Sequence, residues 1–80
     1  MEQSKSRAEF LREFDSLPDS AVVDEDMAAA VRNKKPSSLQ RERWAGTGPR
    51  FVRDGRLVGY RKRDLVAYID GCVVATAEAS

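Results

Sequence analysis

The segment over residues 46–60 constrains the fold more than any other part of the sequence. Gly46-Thr47-Gly48-Pro49 ends a preceding helix, because glycine adopts the left-handed conformation at a helix end and proline cannot continue the helix. Asp54-Gly55 then lies between two short apolar and basic runs, and this dipeptide is typical of a type I′ hairpin turn, which needs positive φ at both central positions. The sequence therefore predicts a helix end followed by a β-hairpin, with Arg53 and Arg56 flanking its tip.

Two short helices are predicted immediately before this hairpin, with residues 21–23 as a connector in front of them. Asp24 is suited to cap the first helix, and the two carboxylates that follow it lie where the helix dipole favours them. A turn over residues 32–36 comes next. Ser37 is then expected to begin the second helix, because Gln40 three residues later gives the spacing of a capping box.

An amphipathic helix is predicted over residues 3–15, which sets apart an N-terminal unit at residues 1–16. Phe10, Leu11 and Phe14 lie at helical spacing among charged residues and form one narrow apolar stripe. The helix ends before Leu17-Pro18, because proline disfavours the helical conformation in the residue before it. This stripe has to be covered, either by the chain's own core or by another helix.

A closing helix is predicted after the hairpin, and it completes a domain over residues 17–71. Gly71 is a suitable stop for this helix, and the small residues 72–80 are predicted as a tail. The chain is thus expected to be an α+β protein, mostly α. The large side chains expected in its core are Leu39, Trp44, Phe51, Leu65, Tyr68 and Ile69, with Tyr60 half-buried.

Charge is unevenly distributed along the chain, although the formal net charge is only +1. Residues 1–31 hold 3 basic and 8 acidic side chains, residues 32–63 hold 11 basic and 2 acidic ones, and residues 64–80 hold 3 acidic ones. The middle segment therefore carries a local net charge of +9. A positive field of this size attracts polyanions, so nucleic acid is the leading candidate partner.

The composition argues against catalysis and against a bound metal or cofactor. The 80 residues include no histidine, and Cys72 is the single cysteine, so the chain lacks an imidazole base and a cysteine pair for metal. A glycine-rich phosphate loop after a strand is also missing. A chain of this length buries only ~60% of its unfolded surface, which leaves little room for a deep active-site cavity. We therefore expect a protein that is not an enzyme and binds no cofactor.

No membrane or export segment is apparent in the sequence. No apolar run approaches the roughly 18 residues that a membrane span needs, and residues 1–5 are not followed by the apolar core of a signal peptide. A single cysteine requires no oxidising compartment. These features predict a cytoplasmic protein without a membrane partner.

The order of these features resembles that of the excisionase and AlpA-type family of small phage and mobile-element DNA-binding proteins. The resemblance covers roughly residues 17–69 and is most specific over residues 46–65, from Gly46-Thr47-Gly48-Pro49 through Asp54-Gly55 to Tyr60-Arg61 and Leu65. It implies a winged helix-turn-helix fold related to that of MerR. In this fold the two-stranded β-hairpin is the wing and the last helix closes the core.

This resemblance implies sequence-specific binding of double-stranded DNA, as an excisionase, as a transcriptional regulator, or as both. Related winged folds occur in the small subunits of some phage terminases, which recognise packaging sites, and the sequence does not separate these roles. A module of this size buries too little surface for high specificity alone, so an integrase or further copies of the chain are expected as partners on DNA. The expected location is the bacterial nucleoid.

The candidate DNA contacts fall into three groups within the basic segment. A DNA-reading helix needs short polar residues at its start and long donors on its exposed face, whereas side chains at a hairpin tip reach the minor groove or the backbone. Cations of the turn and of the closing helix are expected to contact phosphates. The helix supplies Ser37, Ser38, Gln40, Arg41 and Arg43, the hairpin supplies Arg53 and Arg56, and the phosphate contacts are Lys34, Lys35, Arg61, Lys62 and Arg63.

A protein-interaction adaptor is the alternative function. The +9 segment would then dock on an acidic protein partner, and the stripe of Phe10, Leu11 and Phe14 would pair with another helix. Loss of DNA binding in the variant Arg53→Ala/Arg56→Ala would argue against this alternative.

Overall fold

Helices and strands occupy most of residues 5–74, the part of the chain that the computed structural model describes. In chain order the elements are α1 (Arg7–Ser16), β1 (Val22–Asp24), α2 (Glu25–Arg32), α3 (Pro36–Ala45), β2 (Val52–Asp54), β3 (Leu57–Arg61) and α4 (Lys62–Gly71). This confirms the predicted α+β class. Most of the predicted tail at 72–80 lies outside the described residues, as do residues 1–4. Over the described stretch, no helix has the length and apolar character to cross a membrane.

α1 begins at Arg7, later than predicted, because Ser6 and Glu9 form a capping box in front of it. The Glu9 amide donates to Ser6 Oγ (3.2 Å), and the Ser6 amide donates to Glu9 Oε1 (2.9 Å). The helix ends at Ser16, just before Leu17-Pro18, as the sequence predicts.

The apolar stripe of α1 is covered in part by the chain itself. α1 packs against α2, and Arg7 Nε donates to the carbonyl oxygen of Ala30 (2.8 Å). Phe14 is buried in the core, and Phe10 and Leu11 are half-buried. Phe14 therefore belongs to the core, whereas Phe10 and Leu11 keep part of their surface exposed.

The predicted connector over residues 21–23 is wrong, because most of it forms strand β1. The sheet has three antiparallel strands in the order β1-β3-β2, so the hairpin is only part of it. The paired residues are Val22↔Arg61, Val23↔Tyr60 and Asp24↔Gly59 on one side of β3, and Val52↔Gly59, Arg53↔Val58 and Asp54↔Leu57 on the other. A strand of three residues is too short to show the period of two, and its partner lies far along the chain.

Gly59 allows β1 and β3 to approach each other closely. A Cβ atom at this position would lie 2.7 Å from the carbonyl oxygen of Val23 and 2.8 Å from Cγ1 of Val22. The first of these atoms belongs to the backbone, so it cannot move away without disturbing the strand pairing. The position therefore requires glycine for lack of space.

Gly59→Ala is expected to lower the free energy of unfolding by about 1–3 kcal/mol, the usual cost of overpacking. Urea unfolding followed by circular dichroism measures the change. Gly71→Ala is the matched control, because nothing lies within 4 Å of the added Cβ and the residue is helical. This control should be neutral or slightly stabilising. Equal stability of the two variants would contradict the close packing of β1 on β3.

The hairpin turn is not of the predicted type I′. Asp54 pairs with Leu57, so Gly55 and Arg56 are the two central residues of the turn. Gly55 has a φ of +64° whereas Arg56 keeps a negative φ, which fits a type II′ turn with glycine at its first central position. Arg56 therefore lies in the turn itself, one position closer to the tip than predicted.

The two central helices meet across a tight turn, as the sequence predicts. Asp24 caps α2 by accepting a hydrogen bond from the Met27 amide (2.9 Å). Asn33 ends α2 in the left-handed conformation, with a φ of +57°. α3 then starts at Pro36, with Lys35 as its N-cap.

The predicted capping box of Ser37 and Gln40 is wrong, because both residues lie inside α3. Pro36 starts the helix one residue earlier, since the fixed φ of proline suits the first helical position. Gln40 Nε2 donates instead to Glu25 Oε1 of α2 (3.1 Å). α3 ends as predicted, at Gly46 with a φ of +76°.

All four helices and strands β1 and β3 contribute to the core. Leu39 and Leu65 are fully buried, as predicted, whereas Tyr68 and Ile69 are only half-buried. Tyr60 is buried rather than half-buried as predicted, with 1% of its surface exposed. Within residues 5–74 the buried apolar residues are Phe14, Val23, Ala28, Ala29, Leu39, Tyr60 and Leu65.

Trp44 and Phe51 are wrongly predicted as core residues, since they are 91% and 40% exposed. Each residue of an α-helix turns the side-chain direction by about 100°, so Trp44, five positions after buried Leu39, points about 140° away from it. Phe51 precedes β2 in a loop, and its ring forms an edge-to-face pair with Tyr60, at 6.5 Å between centroids.

Candidate nucleic-acid interface

Arg43, predicted to read bases, is held inside the fold between α3, α2 and β3. Nη1 donates to Tyr60 Oη (2.6 Å), and Nη2 donates to Glu25 Oε2 (3.0 Å). The guanidinium lies 5.7 Å from the ring centroid of Phe51, and the side chain is only 14% exposed. Arg43 therefore satisfies the hydroxyl of a buried tyrosine and is not available to bases.

Gln40 shares this internal network. It donates to the Glu25 carboxylate that also pairs with Arg43, so its amide is directed towards α2. Of the five residues predicted to read DNA from this helix, Gln40 and Arg43 thus join α3 to α2. The other three are Ser37 and Arg41, which are exposed, and Ser38, which is half-buried.

Lys62, predicted as a phosphate contact, caps the C-terminal end of α1. Its ammonium donates to the carbonyl oxygens of Phe14 (2.8 Å), Asp15 (3.4 Å) and Leu17 (2.9 Å). These carbonyls lie at the C-terminal end of the helix, where the Leu17 amide also donates to the Phe14 carbonyl (3.1 Å), and the ammonium complements the helix dipole there. Lys62 is therefore not part of the candidate interface.

Arg61 and Lys34 are partly engaged by carboxylates. Arg61 Nε donates to Asp64 Oδ2 (2.7 Å), and Lys34 Nζ donates to Glu42 Oε2 (3.3 Å). Their side chains are 37% and 44% exposed. Both therefore remain at the surface, with part of their charge neutralised.

Glu42 is one of only two carboxylates in the basic segment, and it forms an ion pair with Arg32. Arg32 donates to it through Nη1 (2.6 Å) and Nη2 (3.0 Å), and the Arg32 side chain is 5% exposed. These hydrogen bonds from Arg32 hold the pKa of the Glu42 carboxyl below its usual value. The carboxylate is therefore charged at neutral pH and compensates a buried guanidinium.

The exposed face of α3 is formed by Ser37, Arg41 and Trp44. At about 100° per residue, these positions lie within about 60° of one another around the helix axis. All three are exposed, and within residues 5–74 none of their side chains forms a hydrogen bond or ion pair. One stripe of α3 thus presents a hydroxyl, a guanidinium and an indole to the outside.

Phe51 links this helix to the hairpin. Arg43 of α3 and Arg53 of β2 lie 5.7 Å and 5.9 Å from the centroid of its ring. Arg53 is exposed, so its guanidinium lies at the surface beside α3. Phe51 therefore lies between the hairpin and the side of α3 that carries Arg43.

Arg56 at the hairpin tip faces the N-terminal end of α2. It lines an open cleft together with Asp24, Glu25 and Asp26. Its positive charge offsets carboxylates that would otherwise repel a polyanion near the tip.

Six cations of the basic segment have no ion pair and no side-chain hydrogen bond within the described part of the chain. One of them, Arg50, is not among the predicted DNA contacts, whereas the other five are. Arg50 was missed because it lies in the loop after the helix end, although its position inside the +9 segment was a signal for it. The six are Lys35, Arg41, Arg50, Arg53, Arg56 and Arg63.

Comparison of the sequence with protein-family models and with curated proteins found no match.

Proposed function

We propose that this protein binds double-stranded DNA as a winged helix-turn-helix, without catalysing a reaction. α2 and α3 form the helix-turn-helix, the β2–β3 hairpin is the wing, and α4 closes the core. α3 enters the major groove by its exposed face, and Arg53 and Arg56 of the wing contact the backbone or the minor groove beside it.

The distribution of unpaired charge carries this proposal. The fold pairs Arg32 and Arg43 with carboxylates and directs Lys62 to backbone carbonyls, yet leaves six cations of the same segment exposed to solvent over residues 5–74. The exposed face of α3 contains no carboxylate, because Glu42 is turned inwards against Arg32. A surface of this kind fits the phosphate backbone of a duplex.

The biological role that we propose is that of an excisionase, a transcriptional regulator, or both, at the bacterial nucleoid. Support for it comes from the resemblance of residues 46–65 to the excisionase and AlpA-type family. A single domain of this size buries little DNA surface, so several copies on repeated sites, or an integrase, would supply the remaining specificity.

A salt titration tests DNA binding directly. The anisotropy of a labelled random duplex of about 20 base pairs is measured with increasing protein at about 50 and about 200 mM salt. If Lys35, Arg41, Arg53 and Arg56 contact phosphates, the affinity should fall about a hundredfold between the two conditions, because each contact adds about 0.9 to the slope of log K against log salt.

Two results would overturn the proposal. One is the absence of duplex binding at the lower salt, and the other is binding that does not respond to salt. Salt-dependent binding of polyglutamate in place of the duplex would instead favour the adaptor, whose basic segment docks on an acidic protein.

A further inference from the structure

Trp44 is the single tryptophan of the chain, and it lies at the surface with 91% of its area exposed. No aromatic ring or cation in the described part of the chain stacks on it. Its indole therefore contributes nothing to the core, although an aromatic residue buried in a domain this small would contribute strongly to stability.

The neighbours of Trp44 define the chemistry of the partner that would cover it. On the same stripe of α3 lie Arg41 and Ser37, one and two turns towards the N-terminus. The stripe is positive and without carboxylates, so a partner has to combine negative charge with an apolar group. The major groove of DNA does this, because phosphates line its edges and the C5-methyl groups of thymine lie on its floor.

We propose that Trp44 is a specificity-determining residue that packs on thymine methyl groups in the major groove. The inference rests on the proposed function, because α3 must enter the groove for the indole to reach a base. Arg41 anchors the same stripe to phosphate or to a guanine edge, and the indole covers an adjacent methyl group. The protein thereby prefers sites with thymine at a fixed position beside the Arg41 contact.

The test begins with selection of a preferred duplex from a random library by the parent protein and by Trp44→Ala. Each thymine of the selected duplex is then replaced by deoxyuridine, which removes only the methyl group. Loss of one contacted methyl should weaken binding of the parent protein about fourfold, since burial of one such group has about that effect. Trp44→Ala should bind the thymine and deoxyuridine duplexes equally, and its own selection should lose the thymine.

Tryptophan fluorescence gives a second readout, because all indole emission comes from Trp44. In the complex with the selected duplex, emission should shift to shorter wavelength and acrylamide quenching should fall. Arg41→Ala is the comparison variant. It should bind more weakly yet keep the preference for thymine over deoxyuridine at the position that Trp44 contacts.

The outcomes separate this inference from the proposed function. Salt-dependent duplex binding with equal affinity for thymine and deoxyuridine, or with a thymine preference that survives Trp44→Ala, overturns the inference and leaves DNA binding in place. Full acrylamide quenching of Trp44 in the bound complex also overturns the inference and leaves DNA binding in place. Absence of any duplex binding overturns both. Protection of Trp44 by a second copy of the chain without DNA would assign the indole to a protein interface instead.

Discussion

Replacing Arg41, Arg53 and Arg56 together with alanine is expected to weaken duplex binding about a thousandfold at about 50 mM salt. All three side chains are exposed, and none forms an ion pair within residues 5–74. Each lost phosphate contact removes about 0.9 from the salt slope, which amounts to about tenfold in affinity at this salt concentration. The measurement is the same anisotropy titration, with the slope determined from several salt concentrations.

Two control variants show whether the surface or only the net charge matters. The triple lysine variant keeps all three charges and should retain most of the salt slope, although it loses bidentate contacts. Arg12→Ala removes an exposed arginine of α1, outside the basic segment, and should leave binding nearly unchanged. If this single change weakened binding about tenfold, as expected for each arginine of the triple variant, binding would depend on overall charge. The proposed surface would then be wrong.

Glu42→Ala is expected to lower the free energy of unfolding by about 1–3 kcal/mol, because it removes the charged acceptor of the hydrogen bonds from Arg32. The change leaves the Arg32 guanidinium, only 5% exposed, without its carboxylate. The Tyr68 ring, 4.8 Å from the Arg32 Cζ, cannot replace that negative charge. Small domains are only marginally stable, so a loss of this size is a large fraction of the total stability. Urea unfolding at neutral pH measures it.

Lys34→Ala is the matched control for the same carboxylate. Lys34 also contacts Glu42, but its side chain is 44% exposed, so its removal should cost less than about 1 kcal/mol. Similar losses from Lys34→Ala and from Glu42→Ala would show that the Arg32–Glu42 pair does not stabilise the fold.

The stabilising effect of Glu42 should also depend on pH. Hydrogen bonds from Arg32 lower the pKa of this carboxyl in the folded state, so its contribution is complete above the unfolded-state value of about 4.3 and is lost as the pH falls through the folded-state value. The difference in stability between the parent protein and Glu42→Gln should therefore be constant from neutral pH to about pH 5 and should narrow below about pH 4. A difference that widened on acidification would contradict this assignment.

Local chemistry accounts for the parts of the fold that the sequence predicted well. Gly46 ends α3 because its left-handed conformation suits glycine, and Asp24 caps α2 through its own side chain. The hairpin likewise follows from the turn residues between its strands, although the exact turn type depends on which two residues the strand pairing leaves in the turn. These features depend on residues a few positions apart, which a sequence displays directly.

Features that depend on distant residues were missed. β1 exists because Val23 pairs with Tyr60, and the internal role of Arg43 depends on Glu25 and Tyr60. The angular positions of Arg43, about 40° from Leu39, and of Arg41, about 160° from it, were available from the sequence, but the partners of Arg43 were not. The position of Trp44, about 140° from Leu39, was available too, but the prediction followed the general preference of tryptophan for protein cores instead.

The residues that attach α3 to the rest of the protein are different from those of its outward stripe. Leu39 is the fully buried residue of α3, and the side chains of Gln40, Glu42 and Arg43 attach the helix to α2 and β3 by hydrogen bonds. The outward stripe of Ser37, Arg41 and Trp44 takes no part in them. Substitutions on this stripe should therefore change stability by less than about 0.5 kcal/mol each. Under the proposed function, the recognised DNA sites can therefore change while the scaffold stays the same, and these three positions are the starting set for retargeting by design.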